Sequence, residues 1–209
     1  MKFFLHLLKL SSLFMKKILL LIVFSLLTTN IYAEKIVATY TMSGTKRNVE
    51  AGIDSKGALN IFIQVVGEHS DYVMIRVTGE EDIKRFITQL TYCKNKFIEW
   101  EQVAKRNNVS DFKKEIDAIF PSVEVWWVGL EWYSSNKKNF IKPLFLVNNG
   151  DASFGATGAA THWCNSFITQ SFYILFETAY EAQTLINALD IAKIKYMLNQ
   201  DAQTNALFK

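Results

Sequence analysis

Hydrophobic and polar positions alternate with a period of two in the region after residue 35. Residues 36–42, 49–53, 59–66 and 72–77 are rich in β-branched and aromatic side chains, which predicts four successive strands. The turns between them are too short for the crossover that a parallel pair needs. We therefore expect these four strands to form an antiparallel meander.

A different period follows, because apolar residues then recur at spacings of three and four. This spacing predicts a long amphipathic helix, capped by Thr78 and Glu81. A shorter helix is expected after Ser110, with Phe112, Ile116 and Ile119 pointing inward and Pro121 ending it. The residues of the main apolar stripe are Ile83, Phe86, Leu90, Cys93, Phe97, Trp100 and Ala104.

The second half of the chain repeats the order of strands and then a helix. Strands are expected over 123–128, 130–133, 144–147 and 167–176, with a hairpin turn at Asn149-Gly150. The small polar stretch 151–165 is interpreted as an irregular or edge segment. Thr178 and Glu181 form a second capping box before a last helix. Its stripe is Ala182, Leu185, Leu189, Ala192 and Tyr196.

These elements predict an α+β fold, in which a twisted antiparallel sheet carries two main amphipathic helices on one face. Repetition of a β4α unit is one interpretation of the two halves, 34–107 and 108–209. The alternative is that any two amphipathic helices align because they share a periodicity, so duplication stays open.

The N-terminus has the features of a secretory signal peptide. Lys16 and Lys17 precede the apolar run 18–27, and Ala33 is a small residue at the expected cut. The run is shorter than the roughly 20 apolar residues of a membrane span. We interpret residues 1–33 as a signal peptide, with Met15 as the true start or a longer signal as the alternative. Residues 34–209 are then a single domain, periplasmic or extracellular, with no integral membrane span after cleavage.

Removal of the leader changes the charge of the protein. The whole chain has 23 basic and 20 acidic residues, and residues 1–33 hold four lysines and no acid. The mature part therefore has 19 basic and 20 acidic residues, a net charge of −1. A nucleic-acid-binding protein needs a basic excess, so this balance argues against nucleic acid as a partner.

Cys93 and Cys164 are the two cysteines of the chain. Because an oxidising compartment permits disulfides, a Cys93–Cys164 bridge is one expectation. The alternative is a buried free Cys93, since that residue lies on the helical stripe. Cys164 also lies two positions from His162, which places both on one face of a strand and makes them weak candidates for a catalytic thiol and its base. Catalytic Cys and His usually come from distant segments, so a loop histidine and a packed cysteine is the plainer interpretation.

The pattern favours neither a metal nor a cofactor. After the leader, the chain has two histidines, His69 and His162, and no closely spaced pair of ligands for zinc. Gly150, Gly155 and Gly158 lack the Lys-Ser/Thr of a phosphate-binding loop.

Aromatic residues cluster around position 130. Trp126 and Trp127 are adjacent, so in a strand they point to opposite faces of the sheet. One of them should lie on the face that the helices leave open, where Trp132 and Tyr133 would extend a recognition patch for a protein or a sugar. A sheet buried on both faces is the alternative.

These features favour an exported, non-enzymatic binding protein that uses an aromatic sheet face to contact an unknown protein or carbohydrate. One alternative is a thiol-dependent hydrolase that uses Cys164 and His162. Another is a structural component of the cell envelope.

Overall fold

The structure is a computed structural model that describes residues 34–68, 73–127, 133–134, 140–161 and 169–206. Contacts group Glu34–Lys209 as one compact unit. The described part contains ten strands and three helices, which confirms the predicted α+β class. None of the described helices is long and apolar enough to cross a bilayer.

The first meander has the predicted strand order. Each strand pairs antiparallel with the next, because the connecting turns are short. The helix that follows the fourth strand contacts both parts of the sheet. The bounds are β1 Lys35–Met42, β2 Thr45–Ile53, β3 Leu59–Gly67, β4 Val73–Thr78 and α1 Glu80–Arg106.

The second part contains another meander, β8–β9–β10, and β5 pairs with its outer strand. β6 joins β4 of the first meander, and β7 pairs with β6. A meander precedes a helix in both parts, but β6 and β7 extend the first meander and have no counterpart in the first part. Duplication therefore stays a prediction. The bounds are β5 Phe112–Glu115, β6 Glu124–Trp127, β7 Tyr133–Ser134, β8 Lys142–Asn148, β9 Asp151–Thr161, β10 Thr169–Phe176, α2 Ala179–Ala188 and α3 Ile191–Ala206.

β3 joins the two meanders by a fork along one of its edges. Residues 59–63 pair with β2, whereas Val66 and Gly67 pair with β10. Gln64 lies between the two pairings. Its carbonyl accepts a hydrogen bond from the Tyr40 hydroxyl, and its side-chain oxygen accepts one from the Asn48 N–H at 3.0 Å. The Gln64 carbonyl and the Asn48 N–H at the fork are therefore satisfied by side chains instead of a paired strand.

The hydrophobic core lies between the sheet and the helices. Six residues of the predicted α1 stripe are buried, namely Ile83, Phe86, Leu90, Cys93, Phe97 and Ala104, which confirms that stripe. Phe97 packs against Phe145 of β8 with ring centroids 6.1 Å apart. Each fully buried aromatic or aliphatic side chain contributes about 1.5–3 kcal/mol relative to exposure, so this stripe attaches α1 to the sheet.

The first capping prediction is wrong. Gly79 occupies the N-cap position of α1 with φ 86°, and its helix end has no side-chain cap. The Thr78 hydroxyl instead donates to Asn60 Oδ1 at 2.7 Å, because Thr78 and Asn60 are neighbours on paired strands.

The second capping prediction is confirmed at the hydroxyl. Thr178 Oγ1 accepts a hydrogen bond from the Glu181 N–H at 3.2 Å. The Glu181 carboxylate is 6% exposed and accepts from the Gly44 N–H at 2.7 Å and the Glu177 N–H at 2.8 Å. The carboxylate therefore connects the β1–β2 turn to the start of α2.

The helix predicted after Ser110 is wrong, because residues 112–115 form edge strand β5. Ile116 is buried as expected, but Phe112 is 49% and Ile119 is 73% exposed. The spacing of three and four between Phe112, Ile116 and Ile119 therefore does not reflect the buried face of a helix.

The interpretation of residues 151–165 as irregular or edge is wrong for residues 151–161. These residues form β9, which pairs with β8 on one side and β10 on the other. The hairpin before β9 is confirmed, since Asn149 and Gly150 have φ values of 50° and 87°, as a two-residue turn requires.

Candidate functional site

The candidate site lies on the outer face of the sheet, defined here as the face opposite the helices. The side chains of β6 point alternately to the core and to the outer face, as predicted for a strand. Val123 and Val125 are buried in the core, whereas Glu124 and Trp126 point to the outer face, and Trp126 is half-buried. The backbone of Trp127 pairs with Val73, but its side chain lies outside the described residues.

Four side chains on three neighbouring strands form what we call the outer-face cluster: Phe62, Arg76, Glu124 and Trp126. The Arg76 guanidinium carbon lies 5.0 Å from the Trp126 ring centroid and 5.9 Å from that of Phe62. The two rings meet edge to face, with centroids 6.0 Å apart. Arg76 also donates a hydrogen bond to the Glu124 carboxylate in an ion pair.

Strand register explains why these residues meet. Phe62 is opposite Arg76, and Arg76 is opposite Glu124, so the three form a row across the sheet. Trp126 is in the next outer row, opposite Met74. Residues between them in sequence, such as Ile61 and Ile75, point into the core because the side chains of a strand alternate.

Arg76 is held by several weak interactions rather than by one strong one. Its side chain is 26% exposed and that of Glu124 is 36% exposed, so solvent partly screens their ion pair. A guanidinium over an aromatic ring adds about 0.5–2 kcal/mol, depending on how far it is desolvated. Beneath the pair, Phe62 is 3% and Met74 is 1% exposed. Arg76 is thus positioned before any ligand arrives.

Acidic groups surround this guanidinium. Burial raises the pKa of the Glu34 carboxyl, the Glu50 carboxylate raises it further, and Arg76 opposes the shift. Glu50 is in the same row as Phe62 and faces Ile36, which is 51% exposed. The surface around Arg76 therefore combines apolar, cationic and anionic groups, and among the residues that the structure describes there it holds no nucleophile aligned with a base.

The Cys93 thiol does not have the exposure or the low pKa of a reactive cysteine. Cys93 is a free thiol with 0% exposure, and burial raises its pKa to about 12. A thiol that stays protonated is a poor nucleophile. A free Cys93 argues against the Cys93–Cys164 bridge and agrees with the alternative of a buried free thiol. Cys164 and His162 lie outside the described residues, so the catalytic thiol stays a prediction.

The remaining aromatic candidates are not described at the level of side chains. Trp132 lies outside the described residues, and Tyr133 is described through its backbone pairing with Trp127. The described residues that precede Trp132 and His162 are Trp127 and Thr161, and they end β6 and β9 at the same end of the sheet.

Sequence reasoning selected Trp126 but missed Arg76 and Phe62. A signal existed for Arg76, because it is a charged residue inside the alternating strand 73–78. Across the ranges that the structure describes, His, Cys, Asp and Glu side chains form no group of three or more that would hold a metal ion.

Comparisons with known proteins leave the site to be interpreted from its own geometry. No protein-family model, curated protein or solved structure significantly matches this chain.

Proposed function

We propose that residues 34–209 act as an exported, non-enzymatic binding protein that contacts a protein partner through the outer-face cluster. The observation that carries this proposal is the Arg76 guanidinium, held over Trp126 and Phe62 and paired with Glu124. Export is supported by the leader pattern, with Lys16 and Lys17 before an apolar run and Ala33 at the expected cut.

The composition of the cluster favours a protein partner. Trp and Arg are enriched among the residues that dominate protein–protein binding energy. Side chains that are already ordered lose less conformational entropy on binding, and Arg76 and Trp126 order each other. Exposed Ile36 and charged Glu50 beside them supply the mixture of apolar and polar contacts that such interfaces use.

A carbohydrate fits this geometry less well. A sugar stacks on an open aromatic face, but the Arg76 guanidinium already covers one face of Trp126 at 5.0 Å. Carbohydrate binding is therefore an outcome that the experiment must be able to detect, rather than the proposal itself.

The test uses immobilised residues 34–209 and two variants of the cluster. Trp126→Ala removes the ring, and Arg76→Lys keeps the charge but loses the planar group that stacks. The matched control is Tyr196→Ala, which removes a 63% exposed aromatic side chain from α3. Circular dichroism and thermal unfolding show whether each variant folds.

Each protein is exposed to envelope extract and culture medium from the source cells, and retained proteins are identified by mass spectrometry. We expect one protein to be retained by the wild type and by Tyr196→Ala. With the purified partner, folded Trp126→Ala should bind at least about 30-fold more weakly, as for an interface residue worth about 2 kcal/mol. Equal binding by all folded variants, or retention of glycans alone on a carbohydrate array, would overturn the proposal.

Export is tested separately by sequencing the N-terminus of the native polypeptide. We expect it to begin at Glu34 in an envelope or medium fraction. A native chain that begins at Met1 or Met15 and fractionates with cytosolic proteins would contradict the export part of the proposal.

A further inference from the structure

The β8–β9 turn contains an Asn-Gly sequence on the protein surface. Asn149 and Gly150 are both exposed and both have positive φ. An Asn side chain is open to attack by the next backbone nitrogen when the following residue has no side chain to hinder it. Glycine fulfils this condition at position 150, so the sequence is chemically reactive wherever the backbone is free to rotate.

The folded chain restrains this turn from a neighbouring segment. The Gly150 N–H donates a hydrogen bond to the Ser110 carbonyl at 2.9 Å. The Asn149 N–H points to the Asp111 carboxylate at 3.5 Å, at the outer limit of hydrogen bonding. The Asn148–Asp151 pair closes the hairpin on both sides of the turn. Rotation of the Asn149–Gly150 peptide would break the bond to Ser110.

We propose that Asn149 is a latent deamidation site, which the contact with residues 110–111 protects in the folded protein. Without that contact, the deprotonated Gly150 nitrogen attacks Asn149 Cγ, a C–N bond forms, and ammonia leaves. Water then opens the resulting succinimide to aspartate or isoaspartate. Amide and water are thus converted to carboxylic acid and ammonia, with no oxidant or reductant.

The product would not fit the turn that protects the reactant. Isoaspartate adds a carbon to the backbone between Asn148 and Asp151, whose pairing sets the hairpin register. Deamidation also adds a negative charge at position 149, whose backbone N–H lies 3.5 Å from the Asp111 carboxylate and which is two residues from Asp151. Val147 and Phe154 near this turn are each 1% exposed. Deamidation therefore weakens the hairpin at the core, and it marks chains that have opened.

The rate of deamidation in folded and urea-unfolded full-length chain provides the test. Both samples are incubated in mildly alkaline buffer and digested, and the peptide that contains Asn149 is quantified by mass spectrometry. We expect the folded chain to react at least about tenfold more slowly, because reaction requires local opening. Asn187, followed by Ala188, is the internal control and should react slowly in both samples. Folded and unfolded rates for Asn149 within about twofold of each other would overturn the proposal.

Two further measurements distinguish the effect of the Gly150–Ser110 hydrogen bond from that of overall stability. Hydrogen exchange of the Gly150 N–H should be slow for an exposed turn, and exchange as fast as in an unstructured peptide would refute the contact with Ser110. Asn149→Asp, which mimics one product, should lower the thermal midpoint more than Asn187→Asp does, since Asn187 is an exposed helix residue away from the hairpin. Equal midpoints would refute the predicted effect on the hairpin.

Discussion

Gly158 is the position where the structure leaves no space for a side chain. It is paired with Phe172 across β9 and β10, and the Phe172 ring covers the site where a Cβ would stand. A Cβ added to Gly158 would lie 2.2 Å from Phe172 Cζ and 2.6 Å from Cε1. Carbon atoms in favourable contact are about 3.5–4.0 Å apart, so the ring must move in a Gly158→Ala variant.

The magnitude follows from two opposing effects. Phe172 is 0% exposed, and forcing extra volume into a packed core costs about 1–3 kcal/mol. Replacing glycine also reduces the entropy of the unfolded chain, which stabilises by about 0.4–1 kcal/mol. Gly52→Ala is a matched control, because Gly52 is also in a strand but has no atom within 4 Å of its added Cβ. The entropy gain applies to both variants, so their difference reports the steric cost.

Chemical denaturation of the two variants measures this difference. We expect Gly158→Ala to be about 1–3 kcal/mol less stable than Gly52→Ala, which is at least about 2–4 °C in the thermal midpoint. Phe172→Leu makes room at the site, so the cost of Gly158→Ala should be smaller in that background. If Gly158→Ala is as stable as Gly52→Ala, the conclusion that the Phe172 ring leaves no space for a Cβ at position 158 is refuted.

Three further predictions, two of them on variants, test other parts of the fold. Cys93 should resist thiol reagents in the native protein near neutral pH and react after unfolding, because it is buried and burial raises its pKa to about 12. Peptide mapping distinguishes Cys93 from Cys164. Rapid labelling of Cys93 in the native protein would contradict its burial. Thr178→Ala should lower the free energy of unfolding by about 1 kcal/mol in urea, since α2 loses its N-cap, and an unchanged value would refute that role. The pKa of Glu34 is raised by folding, so its contribution to stability is present below the unfolded pKa and is lost as the pH rises through the folded pKa. Glu34→Gln should therefore stabilise the protein at neutral pH and lose this effect below a pH of about 4, whereas a gain that is independent of pH would refute the electrostatic cause.

The elements that the sequence predicted well have strong local signals. The long α1 stripe and the four alternating strands before it are each built from neighbours along the chain. Their turns are short, so local pattern and final pairing agree. The same holds for Asn149-Gly150, because both residues adopt the positive φ that this turn needs.

The errors arose where distant contacts decide the conformation. β9 is made largely of small residues and has little intrinsic strand signal, but β8 and β10 pair with both of its edges. The C-terminal stripe is confirmed for Ala182, Leu185 and Leu189, which are buried. It is wrong beyond them for a local reason, because the Asp190 side chain accepts from the Lys193 N–H at 3.1 Å and starts a new helix. Tyr196 is consequently 63% exposed instead of following buried Leu189.

The sequence was enough to predict the sheet face of the candidate site, but not which residues form it. Alternation along one strand was enough to separate Trp126 from Val125. The meeting of Phe62, Arg76 and Trp126 requires the register of three strands, and β4 and β6 are separated by α1. A single sequence does not specify such long-range register.

The fork at β3 also constrains the order in which the chain can fold. Gly67 pairs with Phe172, which is synthesised 105 residues later. During N-to-C synthesis, the end of β3 has no pairing strand until β10 is made, and its backbone groups can meanwhile pair with other strands. A polypeptide that stops at residue 107 would keep that unfinished edge permanently. Completion of the first meander is thus coupled to the arrival of the last strand, and premature termination should yield an aggregation-prone fragment rather than a smaller working domain.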